Sequence, residues 1–187
     1  MNPEFIDFEI DGVSGLAIYE YADFVKTKIF EFKGCGDYEL KNVFLGPFST
    51  ELRLIYRNYE LVPVPSYKDK EENKGDHVVD MFSCLGLKMH EIFIKTEKHK
   101  QSDQNYFERQ KIGNYIKLKD ELPDFTNKSI LLVDDICTTG SSLKACLKLL
   151  KQLNPKRVKI LVVAKRLLQP EEIAFLQHSN VVERKFL

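Results

Sequence analysis

Ile130-Leu131-Leu132-Val133-Asp134-Asp135-Ile136-Cys137-Thr138-Thr139-Gly140-Ser141-Ser142-Leu143 is the stretch that decides the fold of this chain. An apolar run with β-branched members leads into two adjacent carboxylates, then small and hydroxyl residues around Gly140. Apolar periodicity follows at Leu143, Ala145, Cys146, Leu147, Leu149 and Leu150. The order predicts a buried strand, a tight loop and a helix, and an uninterrupted apolar run fits a parallel strand covered on both faces. Gly140 allows the backbone to turn and to approach a ligand closely. Ser and Thr hydroxyls beside the unpaired first-turn N–H groups of a helix make an anion site. Adjacent side chains at a strand end point to opposite sides, so Asp134 and Asp135 are not expected to face one atom. One or both can hold sugar hydroxyls, or waters on a magnesium ion, while the loop beyond holds a phosphate. The plainer alternative is a strand-to-helix turn whose acidic pair only caps the helix.

Outward from this stretch, Val158 to Ala164 forms another all-apolar strand after the break at Asn154-Pro155. On the other side, Glu60-Leu61-Val62-Pro63-Val64-Pro65 reads as a short strand whose prolines confine it to a sheet end or a bulge. The polar segment 66–76 then leaves a strand end, where open α/β sheets bind ligands. His77 to Leu87 has helical spacing, Glu91 to Ile94 and Asn114 to Leu118 read as short strands, and 106–112 as a short helix. Near the start, residues 1–15 alternate apolar and acidic positions as an edge strand or a frayed end. Leu16 to Tyr21 is a strand, 22–32 a helix, and 38–56 a second helical stretch interrupted by Pro47. A last amphipathic helix begins at Pro170. Strands separated by helices of this length imply βαβ units and a mainly parallel sheet flanked by helices, an α/β fold. The expected organisation is a small helical hood over residues 1–58 and an α/β core over 59–187.

Composition narrows the class. The 187 residues are enough for one domain with a real core. Lys+Arg and Asp+Glu both number 28, so no global field draws the protein to nucleic acid or to an acidic membrane. The four cysteines, Cys35, Cys84, Cys137 and Cys146, have no Cys-x-x-Cys spacing, which gives no zinc site. No apolar run reaches membrane-spanning length, and Met1 to Asp11 is acidic rather than basic, so the expectation is a cytoplasmic protein without membrane insertion.

The central stretch resembles the 5-phosphoribosyl 1-pyrophosphate (PRPP) signature of type I phosphoribosyltransferases: an apolar tetrad, two acids, two apolar positions, then Thr-Thr-Gly-x-Ser. The wider chain, from Gly15 to Arg166, resembles the ComF family, phosphoribosyltransferase-like proteins of bacterial competence. The resemblance is carried by Gly15-Leu16-Ala17-Ile18-Tyr19-Glu20-Tyr21, Phe32-Lys33-Gly34-x-Gly36-Asp37-Tyr38, Val62-Pro63-Val64-Pro65, Gln104 and Glu108-Arg109. Departures are equally specific. Lys74-Gly75-Asp76-His77-Val78 stands where members usually have Arg-Gly-Phe-Asn-Gln, Ile112 replaces an asparagine, and the paired-cysteine zinc-ribbon of many members does not occur in this sequence.

The resemblance implies that Asp134 and Asp135 are the catalytic pair, binding the ribose 2- and 3-hydroxyls and meeting Mg²⁺ indirectly, through ligand or water. Thr138, Thr139, Gly140, Ser141 and Ser142 would cradle the 5-phosphate, and Ser66, Tyr67 and Lys68 would meet pyrophosphate. Lys98, Lys100, Gln104 and Arg109 would belong to a mobile loop over the site. The implied ligand is PRPP or a related ribose phosphate, and the implied role is in competence and DNA uptake, with a competence helicase or another DNA-uptake protein as partner. Catalysis would be pentosyl transfer, displacing pyrophosphate at the anomeric carbon. The alternative is a non-catalytic module on the same fold that binds protein or single-stranded DNA. The DNA reading rests on Lys95, Lys98, His99, Lys100, Arg109 and Lys111 interleaved with Tyr106 and Phe107. Glu97, Asp103 and Glu108 dilute that patch.

Overall fold

The computed structural model describes residues 3–35, 41–66, 76–95 and 115–167. A five-stranded sheet in the order β1-β2-β7-β6-β3 forms its centre. The strands are β1 (Ile6–Ile10), β2 (Val13–Glu20), β3 (Tyr59–Pro63), β6 (Ser129–Cys137) and β7 (Arg157–Lys165). β2, β7, β6 and β3 run parallel to one another, and only β1 is antiparallel to them. The expected mainly parallel α/β fold is what the sheet shows. β4 (Phe93–Lys95) and β5 (Ile116–Leu118) pair antiparallel in a separate ribbon, a pairing that neither short strand announced by itself.

The β1–β2 connection is the two-residue turn Asp11-Gly12, with φ of 49° at Asp11 and 80° at Gly12. Positive φ at both central residues matches the twist of the hairpin strands. β1 is thus an ordered edge strand of the main sheet. β2 pairs with β7, Gly15 opposite Ile160, so strands from both sides of residue 58 share one sheet. What precedes residue 58 supplies two strands as well as helices. β3 holds the opposite edge, with Pro63 at its end as the proline rule requires. Residues 88–90 partly cover that edge, where Leu61 N donates to Lys88 O at 2.7 Å and His90 N to Leu61 O at 2.9 Å.

Two apolar layers enclose the sheet, and the alternation of β6 sorts its residues between them. Leu131 and Val133 face a cluster formed with α1 (Asp23–Cys35), α2 (Lys41–Leu45), α3 (Ser49–Ile55) and α4 (His77–Phe82). Ile29, Phe32, Phe44, Leu52, Met81 and Phe82 are among its fully or nearly buried members. Ile130 and Leu132 face the other layer, built with Leu143, Cys146, Leu147 and Leu150 of α5 (Ser141–Lys151). Pro47 interrupts the 38–56 stretch as expected, in a single 3₁₀ turn between α2 and α3.

One hydrogen bond ties the first layer to the sheet. The Tyr19 hydroxyl of β2 donates to the Phe44 carbonyl of α2 at 3.0 Å, in the interior. Tyr19→Phe leaves that carbonyl buried without its donor. The expected cost is about 1 kcal/mol, read as a melting midpoint lower by about 2 to 4 °C for a domain of this size. An unchanged midpoint would show that the hydroxyl contributes nothing net.

Candidate functional site

The parallel strands β2, β7, β6 and β3 all end on one edge of the sheet, and the site is assembled there. β6 is longer than its apolar tetrad, continuing through both carboxylates to Cys137. Strand alternation therefore extends to the acids. Asp135 follows the parity of Leu131 and Val133 toward the α1 and α4 layer, and Asp134 that of Ile130 and Leu132 toward α5. Both are buried, at 9% and 5% exposure for Asp134 and Asp135. The Asp135 N–H donates to Asp134 Oδ1 at 2.9 Å.

On its side of the sheet, Asp135 meets two side chains from distant parts of the sequence. His77 Nε2 lies 2.6 Å from Asp135 Oδ2, and Lys33 of α1 pairs with the same oxygen. Burial alone would raise the Asp135 pKa, but the His77 hydrogen bond and the Lys33 charge outweigh it and hold the carboxyl well below its ordinary range. Asp134 has the opposite balance. Burial, and then the charge of Asp135, push its pKa well up, and the field of Lys33 only partly compensates. Among the described residues, the ion pairs engage Asp135 and not Asp134.

After Cys137 the chain turns through Thr138 and Thr139, both exposed, to the buried Gly140. Gly140 has φ of 74°, in the left-handed region, and a Cβ there would stand 2.9 Å from Ile10 Cδ1. The loop therefore packs against the end of the Ile10 side chain of β1, and its left-handed backbone calls for glycine. Cys137 lies on the packed side, with burial raising its thiol pKa. Ser141 and Ser142 open α5, half-buried. Thr139 Oγ1 and Ser141 Oγ are 2.9 Å apart, and the Ser141 N–H donates to Thr139 Oγ1 at 3.4 Å. Thr138 to Ser142 thus form one hydroxyl-lined turn at the positive end of an eleven-residue helix.

Ser66 lies just past β3, whose end is joined to β6 where Val64 N donates to Val133 O at 2.8 Å. The Ser66 N–H donates to Asp76 Oδ2 at 3.3 Å, and Val78 N donates to Asp76 Oδ1 at 3.0 Å. Asp76 caps α4 and ties it back to the end of β3, which brings His77 to Asp135. Tyr67 and Lys68 of the expected pyrophosphate loop, and Lys98, Lys100, Gln104 and Arg109 of the expected mobile loop, lie outside the described residues. Of the basic and aromatic patch only Lys95, at the end of β4, is described.

Lys33, Asp76 and His77 are the site residues that sequence reasoning missed. Asp76 had a legible signal, an aspartate placed before an apolar-periodic run. The Lys33 and His77 contacts had none, because partners on α1 and α4 follow only from the packing of those helices on the β6 face.

Strand-end carboxylates beside a glycine-hydroxyl turn at a helix start are the layout expected of a ribose phosphate site. The phosphoribosyl transferase domain family matches residues 72–179, more than half of the chain. The chain belongs to that family. Competence protein ComFC of Streptococcus pneumoniae (strain ATCC BAA-255 / R6) is 34% identical over 155 residues, covering 79% of this chain and 66% of that protein. ComFC of Bacillus subtilis (strain 168) is 32% identical over 130 residues, covering 68% and 53% respectively. The chain thus spans between 53% and 66% of the length of these relatives. A hypoxanthine phosphoribosyltransferase structure from Staphylococcus aureus aligns with a TM-score of 0.43 at 18% identity, over 72% of this chain and 66% of that one. The family match and the two ComFC relatives bear out the resemblance to ComF proteins read from the sequence. The phosphoribosyl transferase domain match begins after β3, so Lys33 and the β1–β2 hairpin lie outside it.

Proposed function

We propose that the protein binds PRPP or a related ribose phosphate together with Mg²⁺ and acts in competence and DNA uptake. The observation that carries the ligand reading is the buried pair Asp134 and Asp135 at the end of β6, directly before the Thr138–Ser142 turn. The carboxylates suit a vicinal diol as acceptors, and the turn with the α5 dipole suits a phosphate. The competence role rests on the similarity to the two proteins named ComFC.

The residues fit Mg²⁺ in one particular way. Among the described residues no group of three or more His, Cys, Asp or Glu side chains could enclose a metal ion. Mg²⁺ usually keeps several waters and is held by one or two carboxylates plus substrate phosphates, which needs no protein cage. Asp134, buried and with its pKa raised by burial and by Asp135, is the group that a nearby cation would relieve. Asp134 would hold the ion, with Asp135 contributing through ligand or water. When bound, the ion would neutralise diphosphate charge. The chain's own part is to orient the diol and to bind the 5-phosphate at the helix start.

Calorimetric titration of PRPP with and without Mg²⁺ tests this reading. Binding that depends on Mg²⁺ is the expected result, and absence of binding in both conditions overturns it. Release of pyrophosphate on adding nucleobases would make the protein a pentosyl transferase. Binding without release would leave it a ligand-responsive module on the same fold.

A further inference from the structure

Lys33 stands where a ligand at Asp135 must meet it. The lysine lies in the last turn of α1, in the part of the chain before the matched domain, and its ammonium pairs with the buried Asp135 Oδ2. His77 occupies the same oxygen from the start of α4. The two partners are held differently. His77 follows directly on Asp76, whose side chain is locked by Ser66 N and Val78 N. Lys33 reaches in on a flexible stem with its side chain 34% exposed. A diol that donates hydrogen bonds to Asp135 displaces the looser partner first.

We infer that Lys33 is a binding residue that selects ligands carrying an anionic group beside the ribose diol, so that PRPP is preferred over ribose 5-phosphate. This rests on the ribose phosphate reading of the site. An ammonium drawn away from a buried carboxylate loses a charge-assisted bond, and that loss is offset only if the ligand supplies another anion within the lysine's reach. The diphosphate on the carbon next to the diol does so, whereas the neutral hydroxyl of ribose 5-phosphate does not. Its own phosphate lies at the far end of the sugar, at the Thr138–Ser142 turn under the same reading. Lys33 thereby penalises the short ligand and rewards the long one.

The test is calorimetry on the full chain with PRPP and with ribose 5-phosphate, each with Mg²⁺, for the wild type, Lys33→Met and Lys33→Arg. The wild type should bind PRPP about tenfold or more tighter than ribose 5-phosphate. Lys33→Met should lose about tenfold or more in PRPP affinity while its affinity for ribose 5-phosphate holds or improves, and Lys33→Arg should retain the preference. Equal weakening of both ligands in Lys33→Met would reduce the lysine to a structural role and overturn the inference. So would unchanged PRPP binding, or equal affinity for the two ligands in the wild type, which needs no variant. In each of these cases the ribose phosphate reading survives. Binding of neither ligand by the wild type removes that reading, and this inference with it.

Discussion

Asp134→Asn is expected to make the protein more stable at neutral pH while removing Mg²⁺-dependent ligand binding, and Asp135→Asn to remove binding at a cost in stability. The two carboxylates are neighbours in sequence with opposite environments. Asp134 is buried beside another negative charge, so its ionised form is disfavoured and its pKa is raised. An amide removes that charge and keeps an oxygen for the Asp135 N–H, for an expected gain of about 1 kcal/mol or more. Asp135 is held by the Lys33 ammonium and the His77 ring, and replacing it weakens both contacts. Because Lys33 and His77 remain 34% and 26% exposed, water recovers part of the loss. The expected cost is about 1 to 3 kcal/mol, below that of breaking a fully buried pair. Each variant should lose about tenfold to a hundredfold in affinity for PRPP, as the loss of charged hydrogen bonds implies.

The pH dependence separates the two further. An unfolded aspartate titrates near about pH 4. The depressed pKa of folded Asp135 contributes stability that is present above that value and lost as pH falls toward the folded pKa. The raised pKa of folded Asp134 has the reverse sign: the folded state holds a proton that the unfolded chain has released, so stability falls as pH climbs from about 4 through the folded pKa. Denaturant melts across pH should therefore show Asp135→Asn flattening the acid limb and Asp134→Asn flattening the decline above it. Identical profiles for the two variants would mean that the site treats the carboxylates alike.

Gly140→Ala has the second large effect. The alanine would adopt φ of 74° and bring its Cβ to 2.9 Å from Ile10 Cδ1. The left-handed backbone costs about 1 kcal/mol or more, and the contact with Ile10 adds less, because the close atom is the terminal methyl of a side chain that can rotate. Relief by moving the loop away from β1 displaces the Thr138–Ser142 turn, so ribose phosphate affinity should fall with stability. Ile10→Val removes the nearest carbon and separates the two contributions. The double variant Ile10→Val/Gly140→Ala should be less destabilised than the two single variants together, because the overlap is relieved and the backbone cost remains. Strict additivity would show that Ile10 does not confine the loop.

The strand, loop and helix from Ile130 to Leu150 were legible because each signal is local: apolar continuity, one glycine, hydroxyls at a helix start. The prolines at 63 and 65 placed β3 at a margin of the sheet, and Pro47 broke a helix where proline must. The order of the strands was not legible, because pairing of β2 with β7 is a property of the packed chain and leaves no trace in either segment. The β1–β2 hairpin could have been read. Asp11-Gly12 between alternating segments is a strong short-range turn signal, whereas the alternation of residues 1–15 alone left an edge strand and a frayed end both open. The site divides in the same way. Asp134, Asp135 and the following turn were named from one continuous stretch, whereas Lys33 and His77 are brought to it by helices packed on the β6 face.

The position of the first hairpin has a consequence for how the chain reaches this structure. β2 finds its parallel partner only when β7 exists, and Gly15 must wait for Ile160. During synthesis the first strands emerge without a neighbour on the β2 flank, and closing so long a loop before any contact rewards it makes this pairing a late and slow event. The apolar face of β2, including Ile18 and Tyr19, stays exposed until then. The nascent protein is therefore most prone to aggregate before β7 is made, and the chain length at which it first resists proteolysis should come after Lys165 has left the ribosome.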